Sequence, residues 1–286
     1  MAEALAGVPE PHEFLFTDED FAQISSLIYR YAGISLSRSK KEMVYSRLAR
    51  RLRAKGLARF SDYLLLLEQG NEEELEQFTN CLTTNLTAFF REAHHFPILA
   101  DHALRRARSG TDLVLWCCAA STGEEPYSMA ITTAEAFDTL SPPVRILATD
   151  LDTQVLARAR AGIYPMERLE KLPRQQVKRF FQRGTGSYAG MARVRSELQA
   201  LVTFRQLNLR DETWPIRGPL DAIFCRNVMI YFDKPTQRAI LERFVPLLAP
   251  EGLLFAGHSE SFHHAGDLFR PIGKTVYELQ RGASHG

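Results

Sequence analysis

The stretch Asp112-Leu-Val-Leu-Trp-Cys-Cys-Ala-Ala-Ser-Thr-Gly-Glu-Glu-Pro-Tyr-Ser128 decides the fold. Its first half is a short, nearly continuous apolar run. A run this short, bounded by turn residues, reads as a buried strand. Its second half turns at Gly123 and opens a helix expected over about 125–137. A strand entering a helix through a glycine turn is the opening unit of an α/β fold.

The alternation continues outward. Strands are expected over 144–149, 202–207, 220–225, 253–256 and 275–279, and helices over 153–161 and 235–248. Strands alternating with helices predict a doubly wound, mainly parallel sheet covered on both faces. Such sheets bind ligands at the carboxyl ends of their strands. One interval breaks the rhythm. About forty residues separate Gly162 from Val202, including a loop with three glycines over 183–190. Residues 191–198 then alternate, placing Arg193 and Arg195 on one face and Val194 on the other. This predicts a small inserted helix-plus-strand subdomain over about 165–201.

Upstream the period is helical. Residues 1–16 carry two prolines and read as a loose tail. Thr17 to Asp20 form a helix start, and Phe21, Ile24, Leu27, Ile28 and Tyr31 follow at helical spacing until Gly33. A second helix is expected over 39–55, with Val44, Leu48 and Leu52 as its apolar stripe and Gly56 after it. Further helices fit 61–69 and 72–82. The expected organisation is a helical domain over 17–84, a linker and first helix over 85–110, and an α/β domain over 111–286.

The chain has 286 residues, 45% hydrophobic and 24% charged, with a net charge of +1. The total hides its distribution. Residues 30–59 hold ten basic residues and one acid, a local +9, and residues 171–196 hold seven and none, a local +7. The remainder carries −15. Each block is either a solvated face, the usual reading of a basic run, or a docking surface for an acidic partner.

Several classes fall away. No apolar run reaches the 18 or so residues of a membrane span. Glu3, Glu10 and Glu13 argue against a signal peptide. Cys81, Cys117, Cys118 and Cys225 lack C-x-x-C spacing and read as free thiols in a reducing compartment. The pairs His94-His95 and His263-His264 lack metal-ligand spacing, so no metal is expected.

The chemistry-bearing residues sit at strand ends. Gly123 at a strand-to-helix turn would let a ligand approach the backbone. There is no G-x-G-x-x-G, so pyrophosphate is not signalled. Asp150 ends the second strand, where an acid accepts hydrogen bonds from both hydroxyls of a ribose. The alternative, an N-cap, suits Asp152 or Thr153 better. A nucleoside without a pyrophosphate is indicated, and S-adenosylmethionine fits. Arg226 and Asn227, polar among apolar neighbours after the fourth strand, suggest a site. Tyr231 is either core or functional. Asn85, Thr87 and Arg91 are interdomain linker polars or part of that site.

Four stretches carry a resemblance: Thr83-Thr-Asn-Leu-Thr-Ala-Phe-Phe-Arg-Glu92, Ala120-Ser-Thr-Gly-Glu-Glu-Pro-Tyr-Ser128, Phe224-Cys-Arg-Asn-Val-Met-Ile-Tyr-Phe232 and Leu254-Phe-Ala-Gly-His-Ser-Glu260. In this order they resemble the CheR family of the proteobacterial type, methyltransferases that modify glutamates of bacterial chemotaxis receptors. The resemblance runs from about Thr17 to Leu279. It implies a helical N-terminal domain and an S-adenosylmethionine-binding α/β domain with a small antiparallel β-subdomain. It implies cofactor contacts from Asn85, Thr87, Arg91, Glu125, Asp150, Asn208, Leu209, Arg226 and Asn227, and places Arg91 and Tyr231 nearest the methyl transfer. S-adenosylhomocysteine would be the product. Cys117 and Cys118 look like neutral core variation.

The resemblance also gives the basic blocks a purpose. Arg47, Arg50 and Arg53 would face the acidic methylation helices of a receptor. The β-subdomain would grip a C-terminal receptor pentapeptide through Arg193 or Arg195. It implies a cytoplasmic protein recruited to membrane receptor arrays, with no nucleic-acid partner and no insertion into the membrane. Three rivals remain to be distinguished. A nicotinamide-dependent dehydrogenase lacks its glycine motif here. A non-catalytic receptor adaptor would have lost Arg91 or Tyr231. A nucleic-acid methyltransferase often has Asn-Pro-Pro-aromatic where this chain has Arg226-Asn-Val-Met.

Overall fold

The computed structural model describes residues 13–107, 110 and 112–280. The chain divides into two units, Met1–Leu82 and Thr83–Gly286.

Four helices build the first unit: α1 (Asp18–Ala32), α2 (Lys41–Lys55), α3 (Phe60–Glu68) and α4 (Glu72–Leu82). Thr17 and Asp20 close a reciprocal capping box on α1, and Gly33 ends it in the left-handed region. A one-turn 3-10 helix, Arg38–Lys40, precedes α2, so the expected start at residue 39 falls in that turn. Val44, Leu48 and Leu52 are fully buried, as the four-residue spacing requires. Glu74 is buried with them and takes Arg51, Lys55 and the Tyr63 hydroxyl as partners. Residues 1–12 of the expected tail lie outside the described residues. The described end of it is not loose. Phe14 and Phe16 are buried, and Phe16 lies 4.4 Å from the Phe60 ring. Two aromatics leaving water tie residues 13–16 to the helices.

The second unit opens with α5 (His95–Ala107), followed by β1 (Leu113–Cys117), α6 (Glu124–Ala136), β2 (Val144–Asp150) and α7 (Thr153–Ala161). A small excursion comes next: β3 (Ile163–Pro165), α8 (Arg174–Phe180), β4 (Phe181–Arg183), β5 (Met191–Val194) and α9 (Ser196–Ala200). The main fold resumes with β6 (Val202–Gln206), β7 (Leu220–Cys225), α10 (Lys234–Phe244), β8 (Leu248–Ala256), β9 (Phe269–Gly273) and β10 (Val276–Leu279).

Seven strands form the main sheet in the order β6-β2-β1-β7-β8-β10-β9. The first five are mutually parallel, and β10 pairs antiparallel with β8 and β9. In β1 the side chains alternate between two cores. Leu113, Leu115 and Cys117 join one, while Trp116 and, just past the strand, Cys118 join the other. That two-sided burial is why the stretch reads as continuous apolar sequence. β9 was not expected. Pro271 interrupts its pattern and the strand is largely exposed, as suits its place at the sheet edge.

The excursion forms a three-stranded antiparallel sheet in the order β3-β5-β4. β5 ends at Val194 and residues 196–200 turn helical, so the alternation expected through 198 stops early. Arg193 is exposed on the central strand. Arg195 is half-buried at the N-cap of α9, off the strand pattern.

Chain order reverses between β1 and β7. From β1 the sheet grows to β2 and β6 on one side, then returns to β7 on the other. The crevice at the carboxyl ends of β1 and β7 is the topological switch point where open α/β sheets bind ligands.

Candidate active site at the switch point

β2 delivers Asp150 to this edge. Its carboxylate accepts the Ser121 amide at 2.8 Å and the Asp152 amide at 3.0 Å. Burial pushes its pKa up to about 6, which the neighbouring Asp152 charge reinforces and the backbone donors only partly offset. The N-cap of α7 is Asp152, as expected, with Oδ1 accepting from Gln154 and Val155. Asp150 is therefore free of capping duty. Leu207 donates its amide to the Asp150 carbonyl, placing Asn208 and the buried Leu209 beside it. Asn208 Oδ1 accepts the Arg210 amide.

Gly123, which a strand-to-helix turn could use for ligand approach or simply for the turn, is closely packed by protein. A Cβ there would lie 2.6 Å from the Tyr164 hydroxyl and 3.0 Å from Ala159 Cβ. Protein, not ligand, fills that space. The glycine serves helix packing and its own left-handed φ of 99°. Ser121 at the same turn is also left-handed, at φ 48°, and its amide is spent on the Asp150 carboxylate.

Arg226 is the hub of the crevice. Its side chain is fully buried between two carboxylates, donating to Glu125 Oε2 at 2.7 Å and lying 3.3 Å from Glu92 Oε2. The same guanidinium donates to the Arg91 carbonyl. Burial pushes Glu125 above the usual carboxylate range, with Arg226 offsetting only part of it. Glu92 is also raised by burial, but Arg226, the His258 amide and Asn227 together bring it below the usual range. The Cys117 thiol donates to Glu125 Oε1 at 3.2 Å, so this cysteine is a working hydrogen-bond partner and not merely neutral core variation.

Asn227 follows with φ 58°, a left-handed residue without a glycine. Its side chain donates to Glu92 Oε1 at 3.3 Å. Its amide donates to Glu260 Oε2 at 2.9 Å, and the Met229 amide donates to Glu260 Oε1 at 2.8 Å. The Gly257 amide also donates to this buried carboxylate. Gly257 is the one position at this edge where a Cβ would collide with Asn227, 2.8 Å from its amide nitrogen. Phe90, Glu92, Ser121 and Asn227 all have positive φ. Strained backbone held by surrounding contacts is characteristic of functional edges.

The segment before α5 closes the other side. Asn85 Nδ2 donates to Asp152 Oδ2 at 2.8 Å, where Thr83 also donates. Asn85 thus reaches the edge through Asp152, and its carbonyl accepts from Ser121 Oγ. The Thr87 carbonyl accepts from Arg168. Arg91 is exposed and donates from Nη1 to the Leu86 carbonyl at 2.8 Å. Tyr231 is half-buried and ends the 3-10 turn Met229–Tyr231.

The expected docking arginines are less open than their spacing suggested. In the first unit Arg50 is exposed, Arg47 donates to the Cys81 carbonyl, and Arg53 pairs with Glu13 at 2.5 Å. Residue spacing does not reveal a partner 40 positions away. Residues that spacing and charge did not single out include Glu92, Asp152 as the anchor of Asn85, and Glu260. Glu92 and Glu260 close two of the quoted motifs, but nothing local shows which acids turn inward.

The edge suits a cationic cofactor. Glu92, Glu125, Asp150 and Asp152 face it with Arg91 and Arg226 as counter-charges. S-adenosylmethionine carries a sulfonium, an ammonium and a ribose diol, which match an acid-rich rim and a strand-end aspartate. Among the described residues no His, Cys, Asp or Glu cluster is arranged to hold a metal, and no helix is long and apolar enough to cross a membrane.

Comparison with known proteins agrees. Residues 85–278 match the CheR methyltransferase, SAM binding domain, and residues 19–83 match the CheR methyltransferase, all-alpha domain. A chemotaxis protein methyltransferase 2 of Pseudomonas aeruginosa is 59% identical over 265 residues, covering 93% of this chain and 94% of that protein. A chemotaxis protein methyltransferase of Escherichia coli is 56% identical over 266 residues, covering 93% and 92%. One from Borreliella burgdorferi is 34% identical over 255 residues, covering 86% and 89%. With both units matched in order, the chain belongs to the CheR family of S-adenosylmethionine-dependent methyltransferases.

Proposed function

We propose that this protein methylates glutamate side chains of chemotaxis receptors, forming glutamyl methyl esters. The observation that carries this reading is that Glu260, Glu125 and His95, three candidate bases at the edge, are already engaged. Glu260 holds three backbone amides, Glu125 holds Arg226 and Cys117, and His95, pushed down to about 4 chiefly by burial, is neutral and tied to Thr275. An acceptor must then arrive already ionised. A glutamate with a pKa of about 4.3 does so at neutral pH. The names of full-length relatives supply the chemotaxis context.

S-adenosylmethionine brings the transferable methyl on a sulfonium. The chain supplies binding, orientation and exclusion of water. Asp150 takes the ribose hydroxyls, with Asn208 and Leu209 beside it. Glu125, Arg226 and Asn227 shape the far wall, and Asn85 and Thr87 close the near one. Arg91 would hold one oxygen of the incoming carboxylate and leave the other free to accept the methyl. Tyr231 donates to that carboxylate or shapes its channel. Anion and cation give neutral products, so a dry site favours the reaction. Alignment is worth roughly 7–11 kcal/mol. In the small sheet β3 and β4 are the edges. A receptor-tail peptide would add there, with exposed Arg193 meeting its acid. Cytoplasmic action at receptor arrays follows from this substrate.

The test is transfer of radiolabelled methyl groups to receptor-containing membranes. Base-labile label on receptor is expected; label on nucleic acid overturns the reading. A second expectation concerns pH. Ribose hydroxyls donate much more strongly to ionised than to protonated Asp150, so binding should lower its pKa from about 6. Affinity for S-adenosylhomocysteine should weaken about tenfold per pH unit below 6 and be flat above it. The folding contribution runs the other way. A raised pKa favours the fold below the unfolded value and loses that contribution as pH rises through 6. Calorimetry from pH 5 to 8 checks the slope, and Asp150→Asn should flatten it.

A further inference from the structure

Beside the Met229–Tyr231 turn lies a cavity of about 260 Å³ that the site described above does not use. Ile230, Lys234, Ser259 and Ser261 line its open side and Met229 and Glu260 its inner wall. Ile230 is 50% exposed and immediately precedes Tyr231. The lining is unequal in its chemistry. Glu260, its one carboxylate, is consumed by the amides of Asn227, Met229 and Gly257. What the cavity offers an occupant is donors: the Lys234 ammonium and the Ser261 hydroxyl, with the Ser259 hydroxyl shared with His258 Nδ1 at 3.1 Å.

Lys234 is also placed rather than loose. Buried Gln237 ties the turn through its amide nitrogen, donating to the Met229 and Phe232 carbonyls. Its remaining oxygen accepts Lys234 Nζ at 3.1 Å. One side chain thus sets both the turn that carries Tyr231 and the cation beside it. A cation and hydroxyls around a satisfied carboxylate form a site for an anion. The apolar Ile230 rim suits a side chain's methylenes better than a free ion.

We propose that this cavity is a specificity subsite that takes an acidic side chain of the protein substrate, next to the methyl-accepting glutamate. The inference rests on the receptor-methylation reading above. On a substrate helix, residues three or four positions from the target lie about 5–6 Å away on the same face. Such a neighbour enters the cavity while the target reaches Tyr231.

The experiment measures receptor methylation kinetics and S-adenosylhomocysteine affinity for wild type, Lys234→Ala, Lys234→Glu and Ser261→Ala. Lys234 and Ser261 are exposed, so all three variants should fold. KM for receptor should rise about tenfold in Lys234→Ala and further in Lys234→Glu, the scale of one charge-assisted hydrogen bond. Turnover and cofactor affinity should not follow KM. Receptor variants with lysine at the acids three and four positions from the target should recover KM with Lys234→Glu. An unchanged KM, or a fall in cofactor affinity alongside it, overturns the subsite while wild-type labelling leaves the parent reading intact. Absence of base-labile label with wild type overturns both.

Discussion

Arg226→Ala should destabilise the second unit by about 3–5 kcal/mol, the usual penalty for removing one partner of a buried ion pair. Arg226 is the largest single commitment at the edge. Without it, Glu125 keeps only the Cys117 thiol, and Glu92 loses its strongest counter-charge. For a unit of this size the shift in Tm should be roughly 10 °C at pH 7. The deficit should shrink as pH falls. Glu125 already sits above the usual carboxylate range, and losing the guanidinium raises it further, so acid neutralises the stranded charge. Arg226→Lys should recover only part of the loss, because an ammonium cannot reach Glu125, Glu92 and the Arg91 carbonyl as a planar fork does. Thermal unfolding at pH 7 and pH 5 checks both statements. A wild-type Tm in Arg226→Ala would refute the hub.

Arg91→Ala should lower turnover about 100-fold while leaving the S-adenosylhomocysteine dissociation constant within a few-fold. The expected size is that of misplacing a reactant by about 1 Å. The separation of the two effects has a structural reason. The main chain of Arg91 is anchored by its carbonyl, which accepts from Arg226. The side chain is exposed and uses Nη1 on the nearby Leu86 carbonyl. Truncation removes the guanidinium that would orient a carboxylate and leaves the main-chain anchor to Arg226 in place. Calorimetry beside initial rates distinguishes the outcomes. Full activity in the variant would remove Arg91 from the methyl transfer, and parallel loss of affinity would make it a cofactor residue only.

Much of this architecture is written locally. Thr17 and Asp20, Gly33, Gly56 and Asp152 announced their helix ends, and each acts within four residues of itself. The helix over 153–161 and the strand over 220–225 match their expected bounds, since burial on two faces or one imposes a period that a short window records. The place of Asp150 at the end of β2 was legible because a strand end is marked by the apolar run before it. Gly123 was legible as a turn, but its tight packing was not. The atoms that exclude a Cβ there come from Tyr164 and Ala159, more than thirty residues downstream.

What local pattern cannot carry is the pairing of charges. Arg53 reaches Glu13, Arg226 gathers Glu92 and Glu125, and Glu260 takes the amides around Asn227. These partners lie between about thirty and 135 positions apart. The net charge of +1, resolved along the chain into +9, +7 and −15, showed where basic residues cluster but not which of them are spent on acids. Hydrophobic periodicity acts through neighbours in the chain, and so the helices, the parallel strands and the strand-end aspartate were readable from residues alone. A buried charge is stabilised by whatever the fold brings within 3–4 Å, so the Arg226 hub, the Glu260 clamp and the donor-lined cavity beside Tyr231 exist only in the folded chain.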